Sequence, residues 1–272
     1  KYNRYDSRTI SHNSIRHIMK DRSGNLWLGT FSGGLNIYSP TNANFINIGE
    51  QLAETPGLNF PVVGAIISES KGAFWVGTEG GGLNYIDRKN GIYKPLSAGG
   101  KKYRIIKSLL KDRTGKIWMG TFDGLAYYDP EKGNFGDFKF INPELKAVNK
   151  QIFALAENER GLWMGTDGKG LVLIDKLGTV QVFTKKGKNA NGISGNTVFS
   201  ILSDNDLSLW LGTDKGLNHL TSTGSFVHYQ YNPEQFNSIN NNAVATIFRD
   251  SRSVLWIGTK GGGINVLDQI SK

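Results

Sequence analysis

One five-residue phrase constrains this chain more than any other feature. Leu26-Trp27-Leu28-Gly29-Thr30 recurs as Phe74-Trp75-Val76-Gly77-Thr78, Ile117-Trp118-Met119-Gly120-Thr121, Leu162-Trp163-Met164-Gly165-Thr166, Leu209-Trp210-Leu211-Gly212-Thr213 and Leu255-Trp256-Ile257-Gly258-Thr259. Every tryptophan of the 272 residues lies in one copy, at 27, 75, 118, 163, 210 and 256, so neighbours are 43 to 48 residues apart. A fixed period of this size with strand-like copies marks a propeller or another repeat array.

Each repeat has four parts. A mostly apolar first strand comes first: Ser14–Lys20, Val62–Ser68, Ile105–Lys111, Gln151–Glu157, Thr197–Ser203 and Ala243–Arg249. A turn follows, clearest in Asp21-Arg22-Ser23-Gly24 and Asp112-Arg113-Thr114-Gly115, where Asp bonds back to its backbone and Gly takes the final geometry. The tryptophan strand is next. Alternation puts Trp27 and Gly29 on one face and Leu26, Leu28 and Thr30 on the other. A large ring two residues from a glycine predicts a wedge-and-notch contact between neighbouring sheets. The third part is a Gly-rich hairpin and strand, such as Gly33-Gly34-Leu35-Asn36 or Gly262-Gly263-Ile264-Asn265. No Lys-Ser/Thr pair or helical pattern follows, so these are positive-φ hairpin turns and not phosphate loops. A weaker aromatic strand closes the unit, as in Phe135–Phe140, Val180–Thr184 and Phe226–Tyr231.

The fold expected is all-β: a β-propeller of six four-stranded blades forming a single domain over residues 1–272. The stretch Lys1–Asp6 reads as the fourth strand of an incomplete blade, and the chain stops just after a third strand. The last blade is therefore expected to be closed by the N-terminal strand, which removes exposed edges. Part of a seven-bladed propeller, or of a longer array, is the alternative. No apolar run approaches the ~20 residues that cross a bilayer, and the start does not resemble a signal peptide. A soluble mature chain, or a segment of a longer protein, is expected.

Composition excludes several classes. With no cysteine there is no disulfide framework, Cys-zinc site or Cys nucleophile. The net charge of +9 is scattered through the repeats, with no block of like charge and no recognition helix, so nucleic acid is not expected as a partner. The Asp-x-x-Gly turns lack the rest of a calcium loop. No metal, no cofactor and no membrane contact by this segment are expected.

The phrase Asp-x-x-Gly-x-Leu-Trp-x-Gly-Thr, followed by Gly-Gly-Leu-Asn-x-Tyr, runs from Asp21 to Tyr38. It resembles the two-component regulator propeller repeat, and the likeness extends over all six copies. The resemblance implies the periplasmic sensor region of a hybrid two-component histidine kinase that recognises oligosaccharides released from glycans. Kinase and regulator modules would lie outside this sequence. The family's propellers usually have seven blades, so six copies are a departure.

Propellers bind ligands at the mouth of the central channel. The second position of each first strand varies in size and charge: Arg16, Gly64, Lys107, Phe153, Phe199 and Ala245. Two positions on, Ile18, Ile66, Leu109, Leu155, Ile201 and Ile247 read as core. The turn after each Thr also varies: Phe31, Glu79, Phe122-Asp123, Asp167, Asp214 and Lys260. Polar residues precede the first strands, among them Arg104, Asn196 and Asn242, and His17 stands in a column of otherwise small residues. From these sets the candidate ligand-binding residues are Arg16, His17, Phe31, Arg104, Lys107, Phe122, Asp123, Phe153, Asp167, Asn196, Phe199, Asn242 and Lys260. Aromatic faces suit a pyranose, and the cations suit carboxylates or sulfates of an anionic oligosaccharide or polysaccharide fragment. The remaining ectodomain of the same protein is a further expected partner, and a homodimer is left open.

Two other readings compete. One is a propeller that binds a protein. The other is a propeller lyase or lactonase, since streptogramin lyases have a similar repeat and use His with magnesium. Of the four histidines, His12 and His17 point oppositely on a continuous strand, and His219 and His228 fall in the third and fourth strands of repeat five. No pair has metal-ligand spacing, so this domain is read as non-catalytic.

Overall fold

The computed structural model describes all residues except 4, 7, 42, 52–55, 97–101, 140–149, 186–191 and 268–272. Among the described residues every regular element is a strand. The chain divides into two compact units, Lys1–Phe138 and Lys139–Lys272.

Unit 1 holds three four-stranded antiparallel sheets, here called blades 1 to 3. Blade 1 is β1 (Ile15–Lys20), β2 (Leu26–Thr30), β3 (Leu35–Ser39) and β4 (Asn44–Ile48). Blade 2 is β5 (Val63–Ser70), β6 (Ala73–Thr78), β7 (Gly82–Asp87) and β8 (Ile92–Leu96), and blade 3 is β9 (Ile106–Lys111), β10 (Ile117–Thr121), β11 (Gly124–Asp129) and β12 (Asn134–Asp137). Unit 2 holds blade 4, β13 (Ile152–Asn158), β14 (Gly161–Thr166), β15 (Leu171–Asp175) and β16 (Val180–Phe183), and blade 5, β17 (Val198–Ser203), β18 (Leu209–Thr213), β19 (Gly216–Leu220) and β20 (Phe226–Tyr229). Its blade 6 has three strands, β21 (Val244–Arg249), β22 (Leu255–Thr259) and β23 (Gly263–Leu267). Strands follow one another in space as in sequence, the order short hairpins impose.

The repeated residues now have physical roles. Trp27, Trp75, Trp163 and Trp210 are buried and Trp118 and Trp256 half-buried, and each indole N–H donates to the first side chain of its own turn: Trp27 to Asp21 (2.9 Å), Trp75 to Glu69 (2.6 Å), Trp118 to Asp112 (2.7 Å), Trp163 to Asn158 (3.0 Å), Trp210 to Asp204 (3.1 Å) and Trp256 to Asp250 (3.1 Å). Burying such a ring contributes ~4–6 kcal/mol from area alone. An unpartnered N–H would cancel ~1–3 of that, which is why the turn begins with an acceptor. The same carboxylate also holds the turn: Asp112 accepts from the backbone N–H of Thr114 (2.8 Å) and of Lys116 (3.0 Å).

The notch glycines face the start of the next blade. A Cβ on Gly29 would lie 2.5 Å from Val63 Cγ1, and one on Gly77 2.5 Å from Ile106 Cγ2; in unit 2, one on Gly165 would lie 2.9 Å from Val198 Cγ1. The wedge is therefore the β-branched residue opening the next first strand, while the tryptophan packs farther along, as Trp27 does on Phe74 at 3.6 Å. The hairpin glycines take positive φ as expected, for example Gly34 (74°) and Gly82 (88°).

The asparagine after the hairpin is a clamp. Buried Asn36 accepts from the N–H of Ser11 (2.7 Å) and donates to its hydroxyl (2.8 Å). Asn218 does the same with Ser194, and Asn84 with Asn59, donating there to the side-chain carbonyl. The loop entering the blade is thereby tied to its third strand.

Three expectations are corrected. The described residues of Lys1–Asp6 form no strand, and blade 6 has no fourth strand among the described residues. Residues 2–13 instead repeat the bonding of the loop 231–242. Tyr2 N–H donates to Asn13 as Tyr231 N–H does to Asn242, and Thr9 bridges Asn3 as Ser238 bridges Asn232. A polar loop with its own side-chain acceptors outcompeted the aromatic alternation that reads as strand. Second, Ile18 is 60% exposed, although Ile66 and Leu109 in the same column are buried. Ile66 packs toward Gly29 of the preceding blade, and among the described residues of unit 1 no glycine strand of another blade takes that place beside Ile18. The stretch Phe135–Phe140 is shorter than expected, since β12 ends at Asp137 and residue 140 lies outside the described residues.

Candidate functional site

In all six blades the pairing of first and second strands slips by one residue at the same place. The slips fall between Ile15 and His17, Val63 and Ala65, Ile106 and Ser108, Ile152 and Ala154, Val198 and Ser200, and Val244 and Thr246. The extra residues are Arg16, Gly64, Lys107, Phe153, Phe199 and Ala245, the variable column of the sequence. A β-bulge leaves one residue outside the ladder and re-aims its side chain. The scaffold thus repeats six times, and one freed side chain per blade is left to differ.

In unit 1 the bulge residues meet the turns after Thr. Arg16 holds its guanidinium 4.8 Å over the ring of Phe31, which is 46% exposed and has the His12 ring 6.3 Å away. Phe31 is pinned by its N–H to the Ser14 carbonyl. Lys107 pairs with Glu79 at 2.6 Å, with both side chains mostly covered, and Arg104 Nε donates to the Gly80 carbonyl at 2.7 Å. Gly64 makes room for this pair, since a Cβ there would collide with the Ile106 carbonyl and approach Glu79. Lys107 is therefore neutralised, and Arg104 braces a turn. Phe122 is exposed, its N–H bonded to Ile105, and the backbone N–H of Asp123 donates to Thr121. His17 lies opposite Gly29 and is half-buried. Burial holds its pKa below the ordinary histidine value, against a hydrogen bond to the Ile66 backbone that works the other way.

In unit 2 the bulges bring aromatic surface together. The rings of Phe153 and Phe199 lie 5.8 Å apart at 32°, and Lys260 Nζ sits 3.5 Å from the centre of the Phe199 ring. Beside them Asp167 accepts from the Thr197 hydroxyl at 3.0 Å, and Asp214 accepts from the Thr197 N–H. The first strands β13, β17 and β21 are neighbours in that order, which places the bulges of blades 4 to 6 side by side. The result is a ledge of two phenyl faces, one ammonium and two carboxylates.

Asn196 and Asn242 have structural work. Their Oδ1 atoms accept from the N–H groups of Lys185 and Tyr231, both at 2.7 Å, fastening each loop to the preceding outer strand. His219 and His228 lie away from the bulges. His219 stacks on Trp210 (4.2 Å, 11°), and His228 Nε2 donates to the Gly192 carbonyl at 2.7 Å. Among the described residues no group of three or more His, Cys, Asp or Glu is placed to hold a metal ion. Sequence reasoning missed Glu79 as the partner of Lys107, His12 beside Phe31, and Thr197 between two carboxylates. Glu79 was visible as the carboxylate in the same repeat position as Phe31 and Lys260.

The fold defines the class: an all-β propeller whose described residues form six antiparallel blades, five with four strands and one with three. Residues 9–32 and 238–261 match the family described as "Two component regulator propeller". Histidine kinase P4 of Formosa agariphila is 28% identical over 215 residues, 76% of this chain and 15% of that protein. The extracellular domain assigned to the hybrid two component system BT4673 of B. thetaiotaomicron superposes with a TM-score of 0.67 at 20% identity, covering 93% of this chain and 38% of that one. The virginiamycin B lyase of Staphylococcus aureus superposes with a TM-score of 0.66 at 16% identity, covering 95% of this chain and 85% of that one. At such identities the structural likenesses speak for the fold alone. The chain spans well under half the length of the first two. Among the described residues no helix is long and apolar enough to cross a membrane.

Proposed function

We propose that this chain is a ligand-sensing propeller segment of an extracytoplasmic, periplasm-facing two-component histidine kinase, and that its ligand is a glycan-derived oligosaccharide. The sequence likeness to a histidine kinase supports the signalling role. The observation that carries the binding role is the set of six aligned bulges, which frees one side chain per blade on an otherwise repeated frame. The unit 2 ledge supplies what a sugar uses: flat apolar faces at Phe153 and Phe199, with Lys260 and Asp167 beside them.

The ligand is an acidic sugar on this reading, met by Lys260 in unit 2, while Lys107 in unit 1 is occupied by Glu79. The domain binds and does not catalyse, since His219 and His228 are engaged in packing and loop bonding far along the sheets. A thermal-shift screen against neutral and acidic oligosaccharides tests this. A ligand at ~100 times its dissociation constant stabilises by ~2.7 kcal/mol, a readily measured shift. An acidic hit whose affinity is unchanged between ~50 and ~500 mM salt would contradict the charge reading. Turnover of a hit by this chain would contradict the non-catalytic one.

A further inference from the structure

The turns at the ends of the strands opposite the bulges share one plan and differ in charge. Blades 2, 3 and 5 place Arg88, Pro130 and Ser222 at one repeat position, the third residue past the tryptophan's partner in the third strand. Within its unit each reaches the preceding blade. The Arg88 guanidinium lies 5.8 Å from the centre of the Trp27 ring, Pro130 borders the opening over Trp75, and the Ser222 carbonyl accepts from Arg160.

Over Trp27 the result is a basic bowl. A cavity of about 400 Å³ is lined by Ser23, Asn25 and Trp27 of blade 1 and by Lys71, Arg88 and Lys89 of blade 2. The two turns that carry the cations are docked on each other. The Arg88 N–H donates to the Gly72 carbonyl at 3.1 Å, and a Cβ on Gly72 would sit 3.9 Å from Lys89 Cβ. Among the described residues none of the three cations has an ion-pair partner. Asp21 also borders the cavity, but its oxygens already accept from the N–H groups of Ser23 (2.8 Å) and Asn25 (2.9 Å), from Asn25 Nδ2 (2.9 Å) and from the Trp27 indole (2.9 Å). Those bonds use the acceptor sites of a carboxylate. Asp87, beside Arg88 in the chain, is held by the N–H and Nδ2 of Asn90. The equivalent opening over Trp75 has no such excess: Pro130 stands where Arg88 does, and Glu69 is paired with Lys111 at 2.5 Å.

We propose that the bowl between blades 1 and 2 is a binding site for a tetrahedral oxyanion, a phosphate or sulfate group carried as an ester. Unpaired cations around a concave opening raise the local concentration of anions. The planar guanidinium of Arg88 matches two oxygens of such a group, and Lys71 and Lys89 act as point charges on the rest. The cavity is larger than the oxyanion and leaves room for the group that carries it. This site shares no residue with the unit 2 ledge, and it stands whether or not that ledge binds a sugar.

The indole N–H groups give the test its readout, because each donates to the turn of its own blade. Nitrogen–proton NMR of the 272-residue chain is followed while inorganic phosphate or sulfate replaces chloride at fixed ionic strength. The Trp27 signal should shift and saturate while the Trp75 signal stays in place. Arg88→Gln and Lys71→Gln should each weaken the binding at least about tenfold, the loss expected for one charge-assisted bond. Lys71 is exposed, so its variant keeps the test decisive if Arg88→Gln disturbs the turn. Glycerol phosphate and a sulfated glucose, titrated in the same way, tell a lipid-type phosphate from a sulfated sugar as the source, and tighter binding of either than of the inorganic ion supports the site. Weaker binding of both esters overturns the ester reading. Shifts that move all the indole signals alike without saturating are general screening, and they overturn the proposal, as does unchanged affinity in both variants.

Discussion

Replacing Gly77 with alanine adds one methyl group to blade 2, and the structure says where it goes. An ideal Cβ lies 2.5 Å from Ile106 Cγ2 and 2.9 Å from Ile106 Cβ, and Ile106 is fully buried. Favourable carbon–carbon contacts lie at ~3.5–4.0 Å, so β9 must retreat by about 1 Å in a close-packed region. Overpacking of this kind costs ~1–3 kcal/mol. Gly77 does not have the positive φ of the hairpin glycines, so alanine recovers ~0.4–1 kcal/mol from the less disordered unfolded chain. The net expectation is a loss of ~1–2 kcal/mol. Ile106→Ala alone should cost ~2–5 kcal/mol through the cavity it opens. Combined, the new methyl occupies part of that cavity, and the double variant should be ~1–2 kcal/mol more stable than the sum of the single changes. The assay is urea denaturation followed by hydrogen exchange at the amides of β6 and β9, so that unit 1 reports for itself. Strict additivity, or a Gly77→Ala variant within ~0.5 kcal/mol of the parent, would refute the wedge-and-notch account.

Three further outcomes follow from the same geometry. Asn218→Ala leaves the buried N–H of Ser194 without its acceptor, while the Ser194 hydroxyl keeps Thr213, and should cost ~1–3 kcal/mol in chemical denaturation. Ser253 is exposed and sits at φ 67°, where blades 1 and 3 place Gly24 and Gly115; Ser253→Gly should raise stability by up to ~1 kcal/mol, and a fall would contradict the turn assignment. The turn carboxylates set the acid limit. Hydrogen bonding, from Trp256 first, brings Asp250 down to about 2. Burial alone would raise Asp112, but its bonds from Thr114, Trp118 and Lys116 outweigh that and lower it. A carboxylate depressed in the folded state stabilises above its ordinary pKa, and that contribution is lost as pH falls through the folded value. His17 and His219, lowered chiefly by burial, add an earlier loss as pH drops below the ordinary histidine range. Melting temperature against pH should therefore decline gently from 7 to 5 and steeply below ~4, with the first step reduced in His17→Gln.

Much of the frame was legible because its causes are local. The period counts the blades, alternation puts Trp27 and Gly29 on one face, and the glycines mark hairpins whose φ values agree. What was not legible depends on register and on contacts between repeats. The variable column from Arg16 to Ala245 was visible as variation, but its cause, a bulge in every blade, is a one-residue slip between strands that no single strand encodes. Lys107 looked like a free cation because its partner Glu79 belongs to the preceding repeat. Asn196 and Asn242 looked like binding groups, since their backbone partners lie eleven residues upstream across a loop. Tyr2 and Tyr5 imitated an outer strand, whereas the spacing of Asn3, Thr9 and Asn13 followed the loop of Asn232, Ser238 and Asn242.

The central claim is that the freed bulge residues of unit 2, with Lys260 beside them, form the ligand surface. The most direct measurement is calorimetric titration of an oligosaccharide hit into the parent chain, Phe199→Ala, Lys260→Ala and, as a control on the outer sheet, Tyr93→Ala. The account predicts at least about tenfold weaker binding for the first two variants, ~1.4 kcal/mol or more, with folding intact. The Tyr93→Ala variant should bind as the parent does once its lower stability is allowed for. Unchanged affinity in Phe199→Ala and Lys260→Ala would place the ligand elsewhere and contradict the claim.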